Sequence, residues 1–322
     1  MTAEITTSEG MDPLYPTLDG MGHTIPHRHL IGMLYGYVSL SHVIPLVGAI
    51  TAITLIPWMP PTSLDIAMTL VLWALTLGVG ISVGFHRLFS HRAFRTPTPI
   101  AVAIGILGSM AGQGPLVAWV ALHRRHHQFS DAPGDPHSPW LSGLGFGGWL
   151  QGLWHSHFGW VLTYDMPDPL FYAPDLLRDK ALNRTSQLFL AWYLLGIGLP
   201  ALIGGMVFQS WEGALRSFLW SGCLRVAATS QITWCINSIC HLFGRHTHDT
   251  GDHSMNLAWL AIPSFGESWH NNHHASPSAA AFGRSWRQVD LGYLFIIALK
   301  SLGLAYEIKP PRLSTEREDG SA

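Results

Sequence analysis

Charge is scarce in this sequence. Asp, Glu, Lys and Arg together make up 12% of 322 residues, about half the ~25% usual for soluble domains. A soluble enzyme of this size would need more charge to cover its surface. There are only three cysteines, Cys223, Cys235 and Cys240, which excludes a disulfide scaffold. The net charge of -2 leaves no basic patch for nucleic acid. No Lys or Arg precedes Arg28, so a basic start followed by an apolar core, the mark of a secretory signal, is missing. The motifs of a built-in electron carrier are missing too: no Cys-x-x-Cys, no Cys-x-x-Cys-His, no His-Pro-Gly-Gly, and no GxGxxG on a βαβ unit.

Apolar residues and histidine are abundant. Hydrophobic residues reach 48%, which excludes a disordered chain, and mean hydropathy is +0.23. The 19 histidines outnumber the 18 Lys and Arg. A membrane-embedded protein that spends histidine on something specific is the class that remains.

A spanning helix needs roughly 20 mostly apolar residues. Four segments qualify: about Ile31 to Ile56, Leu64 to Phe85, Leu188 to Phe208 and Ala214 to Ile236. The linkers Pro57–Ser63 and Gln209–Gly213 carry no cation. Arg87, Arg92, Arg95, Arg124, Arg125, Arg178, Lys180, Arg184 and the cations from Arg245 onward lie in the other segments. By the positive-inside rule those segments are cytoplasmic. The expectation is an all-α integral membrane fold of four transmembrane helices in two hairpins. A helical cytosolic cap carries the histidines, and both termini lie inside; the compact length and the missing fused haem domain lead to the expectation of a bacterial plasma membrane. Residues 1–28 read as a cytosolic lead-in, 29–309 as one membrane domain and 310–322 as a disordered tail. Ile100–Ala121 is long enough to cross but holds several glycines. It is expected to be interfacial or re-entrant, because a crossing would separate the histidines around it. Leu291–Ala305 is short and amphipathic.

Three histidine clusters stand out: His86 with His91, His123 with His126 and His127, and His270 with His273 and His274. His241 follows the fourth segment. Positions i, i+3 and i+4 share a helix face, so each triplet can aim its rings at one point. His86 and His91 are five apart, which fits a common point if the helix ends between them. A lone histidine at a membrane boundary is ordinarily a hydrogen-bonding residue. Two such triplets and a pair on one side of the membrane point to metal ligation. One metal cannot use nine histidines; two can. With no cysteine and no carboxylate evident near the boxes, structural zinc and carboxylate di-iron bundles are disfavoured. Nine neutral ligands leave an electrophilic metal pair suited to activating oxygen.

At these residues the chain resembles membrane fatty acyl desaturases of the stearoyl-CoA (Δ9) type. The order HxxxxH, HxxHH, HxxHH matches, as does Asn237-Ser-Ile-Cys-His241. Further matches are Trp119-Val-Ala-Leu-His123, Asp135-Pro-His137, the stretch from Gly152 to Trp160 and Gly266-Glu-Ser-Trp-His270. They run from roughly Leu34 to Ala305. The resemblance implies two iron ions and O2, with His86, His91, His123, His126, His127, His241, His270, His273 and His274 as ligands. Asn237 would hold one metal through water. It implies an acyl tunnel shaped by Gln113, Trp119 and Thr233, with no catalytic side chain beyond the ligands. His155 and His157 are candidates to hydrogen-bond the ligands, and His137 to order the turn after Pro136.

The implied reaction inserts a cis double bond, at Δ9, into a saturated acyl chain. It needs an external donor, a ferredoxin, rubredoxin or cytochrome with its reductase. The carrier implied is CoA. Ala121 and Leu122, however, replace charged residues that contact the CoA head group in animal members, so acyl carrier protein or an intact lipid are alternatives. Two other functions remain open on the residues: a membrane hydroxylase or alkane-type monooxygenase, whose first box usually has four-residue spacing, and a non-enzymatic metal carrier. The carrier predicts ionisable residues in several spans, and His42 is nearly alone in the first three.

Overall fold

The computed structural model describes residues 23–311. The expected lead-in and tail therefore lie outside the described residues, apart from 23–28 and 310–311. Among the described residues three helices are long and apolar enough to cross a membrane: Ile31–Thr54, Ser63–Ser90 and Phe189–Phe208. The fourth expected span is also a long helix, residues 211–238. Arg216 and Arg225 lie within it, and it is not among the three that are long and apolar enough to cross. The β structure among the described residues is one short pair, Thr24–Ile25 with Met166–Pro167.

Local chemistry explains how these helices start and turn. Thr62 caps the second span through a reciprocal box. The Thr62 hydroxyl accepts from the Asp65 backbone N–H, and the Asp65 carboxylate accepts from the Thr62 N–H at 2.8 Å. The same carboxylate takes Arg216 Nε at 2.9 Å, which ties the second span to the fourth helix. The third span turns into the fourth helix at Gln209, in a left-handed conformation, and Ser210 then accepts from the Gly213 N–H at 3.0 Å.

Arg225 is fully buried, and the partner that the sequence does not name is a set of neutral acceptors. Its guanidinium donates to Ser221 O (3.0 Å), Thr76 Oγ1 (3.0 Å), Met110 O (3.2 Å) and Gly196 O (3.0 Å). One side chain thus ties three other parts of the chain to the fourth helix. A charge buried in a membrane bundle persists only when its donors are satisfied in this way.

Ile100–Ala121 does not form a single crossing. It is broken into the helices Thr98–Ser109 and Leu116–Phe129. Between them Gly112 and Gly114 take φ of 79° and 96°, conformations that favour glycine. The break lets the second of these helices bring its histidines to the end of the second span. Leu291–Ser301 is an amphipathic helix, as expected, with Ile296 and Leu299 buried. The main core lies between the second span, the two helices after it and this last helix.

The second span and Thr98–Ser109 cross backbone to backbone. A Cβ on Gly80 would sit 2.3 Å from the Gly108 nitrogen. Gly80→Ala is therefore expected to force the helices apart and cost about 1–3 kcal/mol, read as a lowered melting temperature in detergent.

Candidate metal centre

Each histidine cluster sits where a helix ends or bends. Residues Ala74–Ser90 of the second span are wound with i→i+5 hydrogen bonds, and the His91 N–H continues the pattern by donating to His86 O at 3.2 Å. The helix does not end between His86 and His91, as expected from a regular helix. It widens instead, and that winding brings the fifth residue back beside the first, with ring centroids 4.9 Å apart. His123, His126 and His127 lie on Leu116–Phe129, and His270, His273 and His274 on His270–Ala275. His241 ends the short turn Ile239–His241.

The nine histidines gather into two groups. His86, His91, His123, His127 and His273 form one; His126, His241, His270 and His274 form the other. Within each, the ring nitrogens that could ligate lie within 4.8 Å of one another. Nε2 atoms face each other at 2.8 Å (His91 and His123), 2.9 Å (His127 and His273), 3.0 Å (His86 and His273) and 2.9 Å (His241 and His270). The buried Nε2 atoms of His126 and His274 have no hydrogen-bond partner. Lone pairs converging on a common point without a donor are the arrangement that a cation satisfies. The donor sets therefore fit two divalent first-row metal ions.

Four carboxylates stand behind the rings, which corrects the expectation that none is near the boxes. Glu267 takes the Nδ1–H of His86. Asp135 takes that of His126 at 3.0 Å, Asp131 that of His241 at 2.8 Å and Asp252 that of His274 at 2.5 Å. Such contacts fix which nitrogen carries the proton and turn the other toward a metal. They are unevenly shared: one carboxylate serves the group of five, three serve the group of four. Glu267 and Asp131 each lie within one helical turn's length of a box in sequence, but the spacing does not show which ring they face, and Asp252 lies far along a loop.

Electrostatics favours neutral rings. Burial, and then the neighbouring imidazoles, hold His91, His123, His127, His270 and His273 well below the ordinary histidine range. Burial also pulls His274 down against Asp252. His126 is the exception: burial lowers it, but Asp135 outweighs burial and raises it. Burial alone would raise Asp131, Asp135, Asp252 and Glu267, yet their histidine partners, with Arg87 for Glu267, hold all four down and ionised.

The cations inside the boxes are struts. Arg87 is completely buried, with NH1 at 3.0 Å from Glu267 and NH2 at 2.9 Å from Asp290. Arg124, also buried, donates to Ser90 O, Phe89 O and Tyr172 O and pairs with Asp175. The sequence reading had counted both among the cytoplasmic cations.

The expected hydrogen-bonding roles of His155 and His157 do not hold among these partners. His157 lies 2.9 Å from Ser238 Oγ and 3.0 Å from Gln231 Oε1, on the fourth helix. His155 bonds the Pro136 carbonyl. His137 does lie in the turn, its N–H donating to Asp135 Oδ1 at 3.1 Å, and its ring also packs 4.4 Å from His126.

A cavity of about 380 Å³ reaches the histidines and is lined by Gln113, Trp119, Thr233 and Asn237 among others. The Trp119 ring stacks on His123 at 5.1 Å, and Gln113 donates to Ser230 Oγ at 3.1 Å. The three expected tunnel residues thus share one cavity, and Asn237 lines it as well.

Two all-histidine groups that could each hold a metal ion thus lie in a helical bundle beside helices apolar enough to cross a membrane. Residues 64–291 match the fatty acid desaturase family, and the chain belongs to that family. It is 46% identical over 290 residues to a hex-5-enoyl-[acyl-carrier protein] acetylenase of Moorena producens, covering 89% of this chain and 90% of that one. It is 38% identical over 250 residues to an sn-1 stearoyl-lipid 9-desaturase of Synechocystis, covering 76% and 72%. Against Delta-9 acyl-lipid desaturase 1 of Arabidopsis thaliana it is 36% identical over 245 residues, 74% of each.

Asp175 is held down to about 2: burial would raise it, but Arg124 and then Arg92 outweigh burial. A carboxylate depressed in the folded state stabilises above its unfolded value and loses that contribution as pH falls. Melting in detergent is therefore expected to fall between about pH 4 and pH 2, and more steeply for the wild type than for Asp175→Asn.

Proposed function

We propose that the chain inserts a cis double bond into a saturated fatty acyl chain at a di-iron centre held by the nine histidines. The observation that carries the reading is their division into groups of five and four beside one apolar cavity. Asn237, which lines the same space as His126 and His270, would complete the group of four through water. Bound iron would supply activation of O2 and removal of hydrogen from unactivated methylenes.

The overall step balances as two C–H bonds broken and one C=C bond formed. O2 is reduced to two waters, with two electrons from an external one-electron carrier and two protons from solvent. A ferredoxin, rubredoxin or cytochrome with its reductase fits that role. The side chains bind and orient. Burial grips the chain at about 0.8 kcal/mol per CH2, and Trp119 and Thr233 hold it against the histidines. Fixed position then selects the carbon attacked. No residue lining the large cavity is charged, so a carrier's phosphates, whether of CoA, acyl carrier protein or lipid, are met outside it. The histidine groups and both termini face the cytoplasm in this reading, with the fourth helix completing two hairpins across the plasma membrane. Δ9 is the position expected from sequence and named for the stearoyl-lipid relatives. The acetylenase is named for a hex-5-enoyl chain on acyl carrier protein.

Expression with a reductase in a host lacking its own desaturase is expected to yield a new double bond in total fatty acids. A hydroxylated product, or unchanged lipids with full iron loading, would overturn the proposal. His126→Ala is expected to lower bound iron from about two per chain toward one; unchanged stoichiometry would sink the ligand assignment. Asp252→Asn, which weakens the hold on His274, should loosen metal binding by about 10–100-fold, measured by competition with a chelator.

A further inference from the structure

The stretch from Pro136 to Tyr164 contains no Asp, Glu, Lys or Arg, although it lies between Arg125 and Arg178 and outside the apolar spans. Much of it is one helix, in which Gly145–Trp154, His155–Gly159 and Trp160–Thr163 follow without a break. The two ends of this helix are packed very differently. At the far end Val161 is buried in a cluster with Val38 of the first span and Trp234 of the fourth helix. At the near end Phe146, Trp149, Leu150 and Trp154 are all exposed, Phe146 at 76% and Trp154 at 60%. Gly152 is the one buried residue of Gly145–Trp154.

A helix that is apolar on most sides is ordinarily covered, by a core or by lipid. An exposed aromatic patch of this kind marks a surface that meets a partner or a membrane. What covers it here follows from its level in the molecule. Val38 lies about seven residues, or about 10 Å, in from Ile31 at the start of the first span. On the fourth helix, Trp234 stands about 35 Å along from Trp211. The hydrocarbon core of a bilayer is about 30 Å thick, and about 40–45 Å with its head groups. Both measures put the packed end of the helix at the edge of the bilayer.

The exposed end stays near that level. Trp154 packs on Phe158, and Phe158 on Trp234, with ring centroids 5.4 Å and 5.3 Å apart. Trp149 meets Phe243 edge-on at 6.4 Å, just past the end of the fourth helix. The first span also exposes Met33 and Tyr35 at this depth, so apolar surface continues from the span to the helix. A soluble protein partner is ordinarily met by a polar, charged rim, and this stretch has no charge to offer one. Tryptophan beside apolar side chains is the composition of the membrane interface.

We propose that Gly145–Trp154 is an interfacial helix seated in the cytoplasmic leaflet, with Phe146, Trp149, Leu150 and Trp154 covered by phospholipid. The chain enters this helix from the turn in which Asp135 holds His126, and Trp160 packs 5.5 Å from His137. The seat thus places that side of the histidine cap against the bilayer. It rests on the first span crossing the membrane with its start on the cytoplasmic side, and holds whatever reaction the histidines support.

The test uses the full chain in vesicles of phosphatidylcholine. Phe146→Cys, Leu150→Cys and Trp154→Cys are made singly and labelled with a nitroxide. Asp249→Cys, on an exposed loop, is the water-facing control. Cys223 and Cys240 are buried, and labelling of the unsubstituted chain gives the background. At 146, 150 and 154 the nitroxide is expected to collide more with lipid-soluble O2 than with a water-soluble nickel chelate, and at 249 the reverse. Preference for the chelate along the helix would overturn the proposal. Protection from both colliders would overturn it too, since a second copy or another protein would then cover the helix. Trp149→Glu with Leu150→Glu should reverse the preference at 154 and leave that at 249 unmoved, with iron content retained. An unreversed preference at 154 would count against lipid as the cover.

Discussion

Burial in one shared space holds His91, His123, His127, His270, His273 and His274 toward the neutral form, while Asp135 pulls His126 the other way. Burial removes the stabilisation that water gives to a charged ring, and each ring raises the cost of charging the next. What remains is a crowd of lone pairs, held apart from solvent and from acids that would otherwise protonate them directly. The carboxylates are placed behind the rings, on Nδ1, where they orient and add negative charge without occupying the converging side. Three for the group of four and one for the group of five means that the group with fewer rings has the more electron-rich ones.

That arrangement depends on buried cations as much as on histidine. Arg87 follows His86 in sequence and grips both Glu267 and Asp290, so the first box is joined to the third box's approach and to the last helix. Arg124 follows His123 and binds the carbonyls at the end of the second span. The rings are positioned by neighbours in the same motif, which locks three separate stretches of chain against one another. The cavity lined by Trp119 and Thr233 is then set by the same helices that carry the histidines, so cavity and histidine groups cannot vary independently.

Much of this was legible in the sequence, and the limits have physical causes. The three apolar spans follow from length and hydropathy, and the nine histidines from spacing and from resemblance. The break in Ile100–Ala121 was visible as glycine. Three kinds of feature were not. Asp131, Asp135 and Asp252 meet their rings through loops, and loop geometry has no periodicity to read. Arg87 and Arg124 look like surface cations because a charge does not announce its partners. His155 and His157 sit in a motif that matches the family, yet they face other neighbours; proximity in a motif is not contact.

The winding of the second span carries one more consequence. Its i→i+5 bonding from Ala74 to Ser90 gives each turn about one residue more than an α-helix. Five-residue spacing in the first box and this wider turn are therefore a matched pair. A four-residue spacing would present both rings from an ordinary helix with no widening. The interval between two ligands in such a motif measures the pitch of the backbone that carries them, so a change of one residue there would be absorbed as a change of helix type rather than as a shift in where the rings point.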